Sequence, residues 1–219
     1  MKLVIGNKNY STWSLRPWLL LRHAGIPFEE EVVSFNADDF AARVGRHSPS
    51  GKVPVLVDEG LAIWDSLAIV EYVCERFPEK HLWPEDRAAR AVARSICAEM
   101  HSGFSVFRSH MMMNCSARFP GLGWNIAVQK EIDRVLAIWR DTRGRFGRGG
   151  PFLFGAFTAA DAYFAPVTQR FVTYEVKLPE LAGQYVDTIQ GLPAMKEWVA
   201  AARQENDFVP EDEPYRTGP

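Results

Sequence analysis

Residues 50–72 read SGKVPVLVDEGLAIWDSLAIVEY, and this stretch decides the fold of the chain. Residues 53–58 are a short run rich in valine with a proline in second place, which is typical of a strand whose first residues do not donate to the ladder. A Glu-Gly pair follows, and residues 61–64 are mostly apolar again. Two short strands joined by so tight a turn predict an antiparallel hairpin.

The hairpin leads directly into a helix that begins at Asp65 and Ser66. Short side chains carrying oxygen, placed ahead of an apolar run, are typical of a helix N-terminus. Such an N-terminus has free backbone N–H groups and the positive end of the helix dipole. Because both favour negative charge, this helix start predicts a site for a carboxylate.

Upstream of the hairpin, short apolar strands alternate with helical spacing. A strand at residues 3–6, a helix at 14–23 and a strand at 29–35 predict a β-α-β unit whose strands pair in parallel through a right-handed crossover. A short helix or turn at 38–44 then leads to the hairpin. The predicted order β-α-β-α-β-β-α is an α/β order of the thioredoxin-like kind, and it ends near residue 77.

The pattern changes after a stretch with proline at both ends, residues 78–84. We therefore predict a first domain at 1–78, a linker at 79–86 and an all-α second domain at 87–219. The predicted helices of the second domain are 87–112, 125–146, one that follows the Thr158 to Asp161 segment, and 192–198.

Two features of the second domain carry separate predictions. Thr158 and Asp161, three residues apart ahead of an apolar run, predict a capping box with Asp in place of Glu, and we assign this pair to folding. The tail from residue 208 is rich in proline and acidic residues, which predicts a loosely held segment.

Composition excludes several classes of function. The chain has 219 residues, 47% of them hydrophobic and 24% charged, with a net charge of -2 and a pI near 6.2. This balance gives no electrostatic reason to expect nucleic acid or a membrane surface as partner.

The N-terminus lacks a signal-peptide core and no apolar run reaches ~18 residues, so we expect a cytoplasmic protein. Cys74, Cys97 and Cys115 form no CxxC pair, so we expect neither disulfides nor a metal site.

The Val53-Pro54 pair at the mouth of the hairpin, the Asp65-Ser66 pair at the helix start and the capping segment 152–161 resemble the glutathione S-transferase family. The resemblance covers essentially the whole chain. It implies a cis bond before Pro54, contact between the backbone of Val53 and that of glutathione, and recognition of the γ-glutamyl end by Asp65 and Ser66. It also implies that Lys52 lies near the glycyl carboxylate.

The loop after the first strand, Ser11-Thr-Trp-Ser-Leu-Arg16, is similar to the activation loop of the serine-type zeta, theta and tau classes. In these classes a serine about five residues before an arginine activates the thiol, which corresponds to Ser11. A hydroxyl that donates to the thiolate lowers the thiol pKa, and no general base is needed. Thr12 and Ser14 remain alternatives. Trp13 stands where the zeta class has a cysteine, and this departure weakens the case for maleylacetoacetate isomerase activity.

The resemblance implies a homodimeric enzyme that transfers glutathione, its co-substrate, to a small and hydrophobic electrophile. A glutathione-dependent cis-trans isomerase and a non-enzymatic binding module on the same fold are the alternatives. Methionine and aromatic side chains form adaptable apolar walls, so the pocket for the electrophile is predicted mainly from residues of this kind. The predicted pocket residues are Trp13, His101, Phe104, Ser105, Arg108, the run Met111 to Met113, Phe171 and Tyr174.

Overall fold

The computed structural model describes residues 1–218 and contains a four-stranded sheet in the order β2-β1-β3-β4. Strand β1 pairs in parallel with β2, and β3 is antiparallel to both β1 and β4. This arrangement confirms the predicted fold class. The strands are β1 Lys2–Ile5, β2 Glu29–Val32, β3 Val55–Asp58 and β4 Leu61–Trp64.

Nine helices accompany the sheet within the described residues, and all those after α3 belong to the helical half of the chain. They are α1 Thr12–His23, α2 Phe40–Gly45, α3 Ser66–Arg76, α4 Arg87–Ser102, α5 Ser105–His110, α6 Ile126–Phe146, α7 Ala159–Thr173, α8 Glu180–Gly191 and α9 Pro193–Ala202. The predicted boundary at 79–86 stays a prediction.

The central strands are apolar on both faces because the sheet is covered on both sides. Leu3 and Leu56 point into the main core, whereas Val4 and Val55 pack with Val44 of α2 in a smaller cluster on the opposite face. Alternate side chains of a strand point to opposite faces, so burial of both sets requires a continuous apolar run. The outer strand β4 is only partly covered.

The hairpin has the predicted geometry. Asp58 pairs with Leu61, which leaves Glu59 and Gly60 as a two-residue loop with φ of 49° and 84°. Positive φ at both positions matches the right-handed twist of the flanking strands. The bond between Val53 and Pro54 is cis, as the resemblance implied.

Helix α7 forms the centre of the helical half, and all its side chains except that of Val172 are buried. The Asp161 carboxylate accepts from the backbone N–H of Thr158 at 2.8 Å and from the Tyr185 hydroxyl at 3.0 Å. Burial raises the pKa of Asp161 to about 6, and the hydrogen bonds that it accepts oppose this shift. The predicted capping box is confirmed.

The predicted helix 87–112 is wrong as a single element, because the chain breaks between α4 and α5. Phe104 has a φ of 59°, and its side chain is buried. The new N-terminus is completed from α6, since the Glu131 carboxylate accepts from the backbone N–H of Phe107 at 2.6 Å. This contact joins residues far apart in the chain, so helical periodicity does not report it.

The prediction of a loosely held tail is also wrong. The Glu213 carboxylate is 2% exposed and accepts from the Tyr10 hydroxyl and the Asn114 amide, both at 2.8 Å. The Tyr215 ring packs against Phe119 and Tyr174. These contacts tie the tail to the loop that precedes α1, to the loop that follows α5 and to the end of α7.

Burial disfavours ionisation of all three cysteine thiols. Burial raises the pKa of the Cys74 and Cys115 thiols to about 12 and that of Cys97 well above its ordinary value, so none supplies a reactive thiolate. Within residues 1–218, no three His, Cys, Asp or Glu side chains are grouped to hold a metal ion. No helix in that range has the length and apolar character of a membrane span.

Candidate functional site

Two adjoining hollows lie between the sheet and the helical half, and both contain residues predicted for the site. The larger hollow encloses about 590 Å³ and the smaller about 440 Å³. They share Trp13, Lys52 and Val53. We call the larger hollow the cleft and the smaller one the side pocket. The side pocket also contains Asp65, Ser66 and His101, whereas the cleft contains Ser11, Thr12, Arg108, Met112, Met113 and Arg170.

Val53 borders both hollows and lies two residues before the first residue of β3. The β3 ladder begins at Val55, so the peptide groups of Val53 lie outside it. Lys52, next to it, is exposed, and its ammonium forms no salt bridge within residues 1–218. This segment therefore offers unpaired backbone groups and one cation.

Asp65 and Ser66 form the N-terminus of α3, as predicted. One Asp65 carboxylate oxygen, Oδ1, accepts from the backbone N–H of Leu67 at 2.8 Å, and the side chain is 46% exposed. Asp65 also has a φ of 72°, a conformation that L-residues seldom adopt and that clusters at functional sites. Its second oxygen, Oδ2, lies 3.3 Å from Nε2 of His101. His101 was predicted to contact the second substrate, but the structure places it beside Asp65.

Three hydroxyl groups were candidates for activating a thiol, and the structure separates them. The Ser11 hydroxyl lines the cleft at the N-cap of α1 and donates to Ser14 Oγ at 2.7 Å. Ser14 is fully buried behind Ser11 and also accepts from the backbone N–H of Gly6 at 3.2 Å. Thr12 lines the cleft as well. Direct contact with a ligand is therefore open to Ser11 and Thr12, whereas Ser14 supports Ser11 from behind.

Two arginines line the cleft and a third, Arg16, lies behind its Trp13, and none of the three forms a salt bridge within residues 1–218. The Asp212 carboxylate also lines the cleft. The Arg16 guanidinium is fully buried, 4.1 Å from the Trp13 ring centroid and 4.5 Å from that of Tyr163, and its nitrogens have no hydrogen-bond partner within residues 1–218. Burial lowers the pKa of Arg16 to about 10 and that of Arg170 to about 9, so both stay charged at neutral pH.

The other two arginines of this group line the cleft and donate only to backbone. Arg108 Nη1 donates to the carbonyl oxygen of His101 at 3.3 Å, and Arg170 Nε donates to that of Met111 at 2.7 Å. Neither forms a salt bridge within the described part of the chain. Sequence reasoning missed Arg170, although a charged residue inside the apolar run of α7 was a usable signal.

Four residues predicted for the wall of the pocket lie in the core instead. Phe104, Met111, Phe171 and Tyr174 are all at most 6% exposed and do not line the cleft. Phe171 packs on Trp139 at 5.5 Å between ring centroids, and the Tyr174 hydroxyl donates to the carbonyl oxygen of Met112. The apolar wall is made by Phe35 and Phe40, which were not predicted, and by Met112 and Met113 of the predicted methionine run.

The sequence matches two family models. Residues 10–76 match the glutathione S-transferase N-terminal domain, and residues 88–201 match the glutathione S-transferase C-terminal domain. Among curated proteins, glutathione S-transferase Z1 of Arabidopsis thaliana is 37% identical over 204 residues, which cover 86% of this chain and 89% of that protein.

A second curated relative is covered less completely. A probable maleylacetoacetate isomerase of Caenorhabditis elegans is 28% identical over 128 residues, 58% of this chain and 59% of that protein. The chain thus spans about three fifths of that relative.

Among solved structures, a Burkholderia glutathione transferase homolog with bound glutathione has a TM-score of 0.71 at 23% identity, covering 93% of this chain and 98% of the other. A bacterial zeta-class maleyl pyruvate isomerase has a TM-score of 0.67 at 19% identity, covering 95% and 100%.

Proposed function

The chain belongs to the glutathione S-transferase family, and we propose that it binds glutathione and transfers its thiolate to a small electrophile. One observation carries the proposal. The residues that would hold glutathione line the side pocket, and the Ser11 hydroxyl lines the cleft that adjoins it. A bound tripeptide therefore extends its thiol toward the space that remains for a second substrate.

The charges of the two hollows complement those of glutathione. We assign the glycyl carboxylate to the Lys52 ammonium and the peptide backbone to Val53. The γ-glutamyl ammonium goes to Asp65, and its carboxylate to Ser66 and the free N–H groups at the start of α3. Asp65 can cap α3 with one oxygen and bind the ammonium with the other, because a carboxylate has two acceptor oxygens.

The thiolate would be stabilised by the Ser11 hydroxyl and by positive charge. The N-terminus of α1 and the unpaired Arg16 guanidinium both favour an anion in the cleft. When Ser11 turns its hydrogen toward sulfur, Ser14 can donate its own hydrogen to Ser11, since a hydroxyl both donates and accepts. The thiol pKa then falls because the charged form gains a hydrogen bond.

For the electrophile we propose a carboxylate in addition to an apolar body. Arg108 and Arg170 present positive charge to the cleft, and neither forms a salt bridge within residues 1–218, so the Asp212 carboxylate that lines the same cleft offsets the charge of Arg170 only in part. Phe35, Phe40 and Met113 provide apolar surface. A guanidinium is suited to binding carboxylates because its donors match the two oxygens. We therefore expect the electrophile to be a hydrophobic carboxylic acid, which is a narrower class than hydrophobic electrophiles in general.

An isomerase is the second candidate, and the same two arginines favour it. Maleylacetoacetate and maleyl pyruvate, after which two of the similar proteins are named, are both carboxylic acids. Trp13 at the position of the zeta-class cysteine argues against it. Turnover of maleylacetoacetate without net loss of glutathione would identify the isomerase, whereas stoichiometric loss of the thiol would identify transfer. A non-enzymatic module has no need for this set of charged and hydroxyl groups.

Calorimetric titration with glutathione tests the binding site. We expect the wild-type protein to bind in the micromolar to millimolar range, and the Lys52→Ala/Asp65→Ala variant to bind about 10- to 100-fold more weakly, because it loses two charge-assisted contacts at a solvated site. The matched control is Lys196→Ala/Asp187→Ala, which removes the same charges from exposed positions on α9 and α8. Equal affinity in both double variants would refute this assignment.

We also propose a homodimer with each site mainly within one subunit, and a cytoplasmic location. The dimer is supported by apolar side chains that β4 leaves uncovered, since Leu61 is 56% and Trp64 45% exposed. Sedimentation equilibrium at micromolar concentration should give twice the mass of the 24.8 kDa chain. A single species of monomer mass would contradict this proposal.

A further inference from the structure

Three side chains of the side pocket, Asp65, Ser66 and His101, are linked by polar contacts through the buried Tyr163 behind them. Asp65 Oδ2 lies 3.3 Å from His101 Nε2, and His101 Nδ1 lies 3.1 Å from the Tyr163 hydroxyl. The Tyr163 hydroxyl lies 3.0 Å from Ser66 Oγ, and Ser66 follows Asp65 in the chain. This circuit of contacts joins the start of α3 to α4 and α7. The two residues that we assign to the γ-glutamyl group are therefore held by the helical half of the protein.

For a neutral imidazole, the hydrogens of this circuit have one consistent arrangement. An ionised carboxylate only accepts, so Nε2 of His101 carries the hydrogen and donates it to Asp65. Nδ1 then accepts from the Tyr163 hydroxyl, and the Tyr163 oxygen accepts from Ser66. Consequently, the only hydrogen on the Ser66 hydroxyl points inward, away from the pocket.

A ligand carboxylate at Ser66 reverses this order. Ser66 must turn its hydrogen outward to donate to the carboxylate, and the Tyr163 hydroxyl then turns to donate to Ser66. Nδ1 of His101 is left facing an oxygen with no hydrogen between them, unless the ring gains one. We propose that His101 takes up a proton from solvent when the γ-glutamyl end of glutathione binds, and that the resulting imidazolium donates to both Asp65 and Tyr163. This inference rests on the proposed glutathione site.

The charged and titratable groups around His101 set the balance of this step. Asp65 at the start of α3 favours the imidazolium, and the ligand carboxylate adds negative charge nearby. Arg16 on α1, Arg108 on α5 and Lys52 oppose it. Burial raises the pKa of Tyr163 to about 12, so this residue stays protonated and can act as a donor. Imidazole is the side chain that ordinarily changes charge between pH 5 and 8.

Proton uptake can be measured without interference from the thiol. S-methylglutathione keeps the γ-glutamyl group but has no ionisable sulfur, so its calorimetric titration in buffers of different ionisation enthalpy counts protons gained by the protein. At pH 7 we expect an uptake of up to about one proton per bound ligand. His101→Gln should abolish it. Tyr163→Phe, which keeps the ring beside Arg16, should abolish most of it although His101 is still present. The exposed His110→Gln is the control and should leave it unchanged.

The results of these titrations distinguish a failure of the proposed glutathione site from a failure of the proposed role of His101. If S-methylglutathione does not bind at all, the proposed glutathione site is wrong and this inference fails with it. If it binds with no proton uptake between pH 6 and 8, the glutathione site stands and the role of His101 is refuted. Undiminished uptake in His101→Gln would assign the proton to another group. Undiminished uptake in Tyr163→Phe would refute the circuit. Thermal unfolding of each variant establishes that it is folded before it is titrated.

Discussion

Replacing Ser11 with alanine is expected to raise the pKa of the bound glutathione thiol by about one to two units, because one charge-assisted hydrogen bond of ~1.5–3 kcal/mol is lost. Turnover near neutral pH should fall about 10- to 100-fold, whereas glutathione affinity should change little, since Lys52 and Asp65 remain. The loss of rate should shrink as pH rises through the raised pKa of the thiol. Thiolate absorbance and initial rates across a pH series measure both effects.

Two neighbouring variants test whether the effect belongs to Ser11. Thr12→Val removes the other hydroxyl that lines the cleft and keeps the shape of the side chain, so we expect little change in the thiol pKa. Ser14→Ala removes the group behind Ser11 and should give a smaller shift of the same sign. A large shift in Thr12→Val together with none in Ser11→Ala would move the activating role to Thr12.

Replacing Arg170 with methionine is expected to abolish the preference for acidic electrophiles. The ratio of kcat/KM for 4-nitrocinnamic acid to that for its methyl ester should fall about 10- to 100-fold, which corresponds to one lost charge-assisted contact of ~1.5–3 kcal/mol. The ester serves as an internal reference because it keeps the ring and the reactive double bond. Comparing ratios also cancels any difference in the amount of active enzyme.

A second variant keeps this prediction testable if loss of the buried Arg170 destabilises the fold. Arg108→Met changes a side chain that is only partly buried and should lower the same ratio. The control is Arg118→Met, an exposed arginine that does not line the cleft. If both cleft variants keep the wild-type ratio, the electrophile does not contact these cations, and the acidic substrate class is wrong.

Local sequence was sufficient to predict the elements that depend only on residues next to each other in the chain. The hairpin needs only two apolar runs and a pair of residues that accept positive φ, and the start of α3 needs only Asp65 and Ser66. The capping box at Thr158 and Asp161 is likewise set by spacing within one turn. Apolar periodicity also placed α1 and α6 to within a few residues.

The composition of the site depended on contacts between distant parts of the chain. His101 and Arg108 were selected together as one helical stripe, but the break at Phe104 separates them. His101 then faces Asp65, whereas Arg108 faces the cleft. Helix α5 then ends at His110, and of the methionine run that follows, Met112 and Met113 line the cleft whereas Met111 does not. A period of 3.6 residues predicts faces only while a helix continues.

The sequence by itself determined the order of elements up to α3, the hairpin and the helix start that carries Asp65 and Ser66, because these follow from backbone propensity and neighbouring side chains. Only the tertiary structure decided that the tail binds Tyr10 through Glu213, that Arg170 reaches the cleft, and that His101 meets Asp65. The physical reason is that burial and charge pairing depend on which distant side chains share one enclosed space, and no local pattern records that.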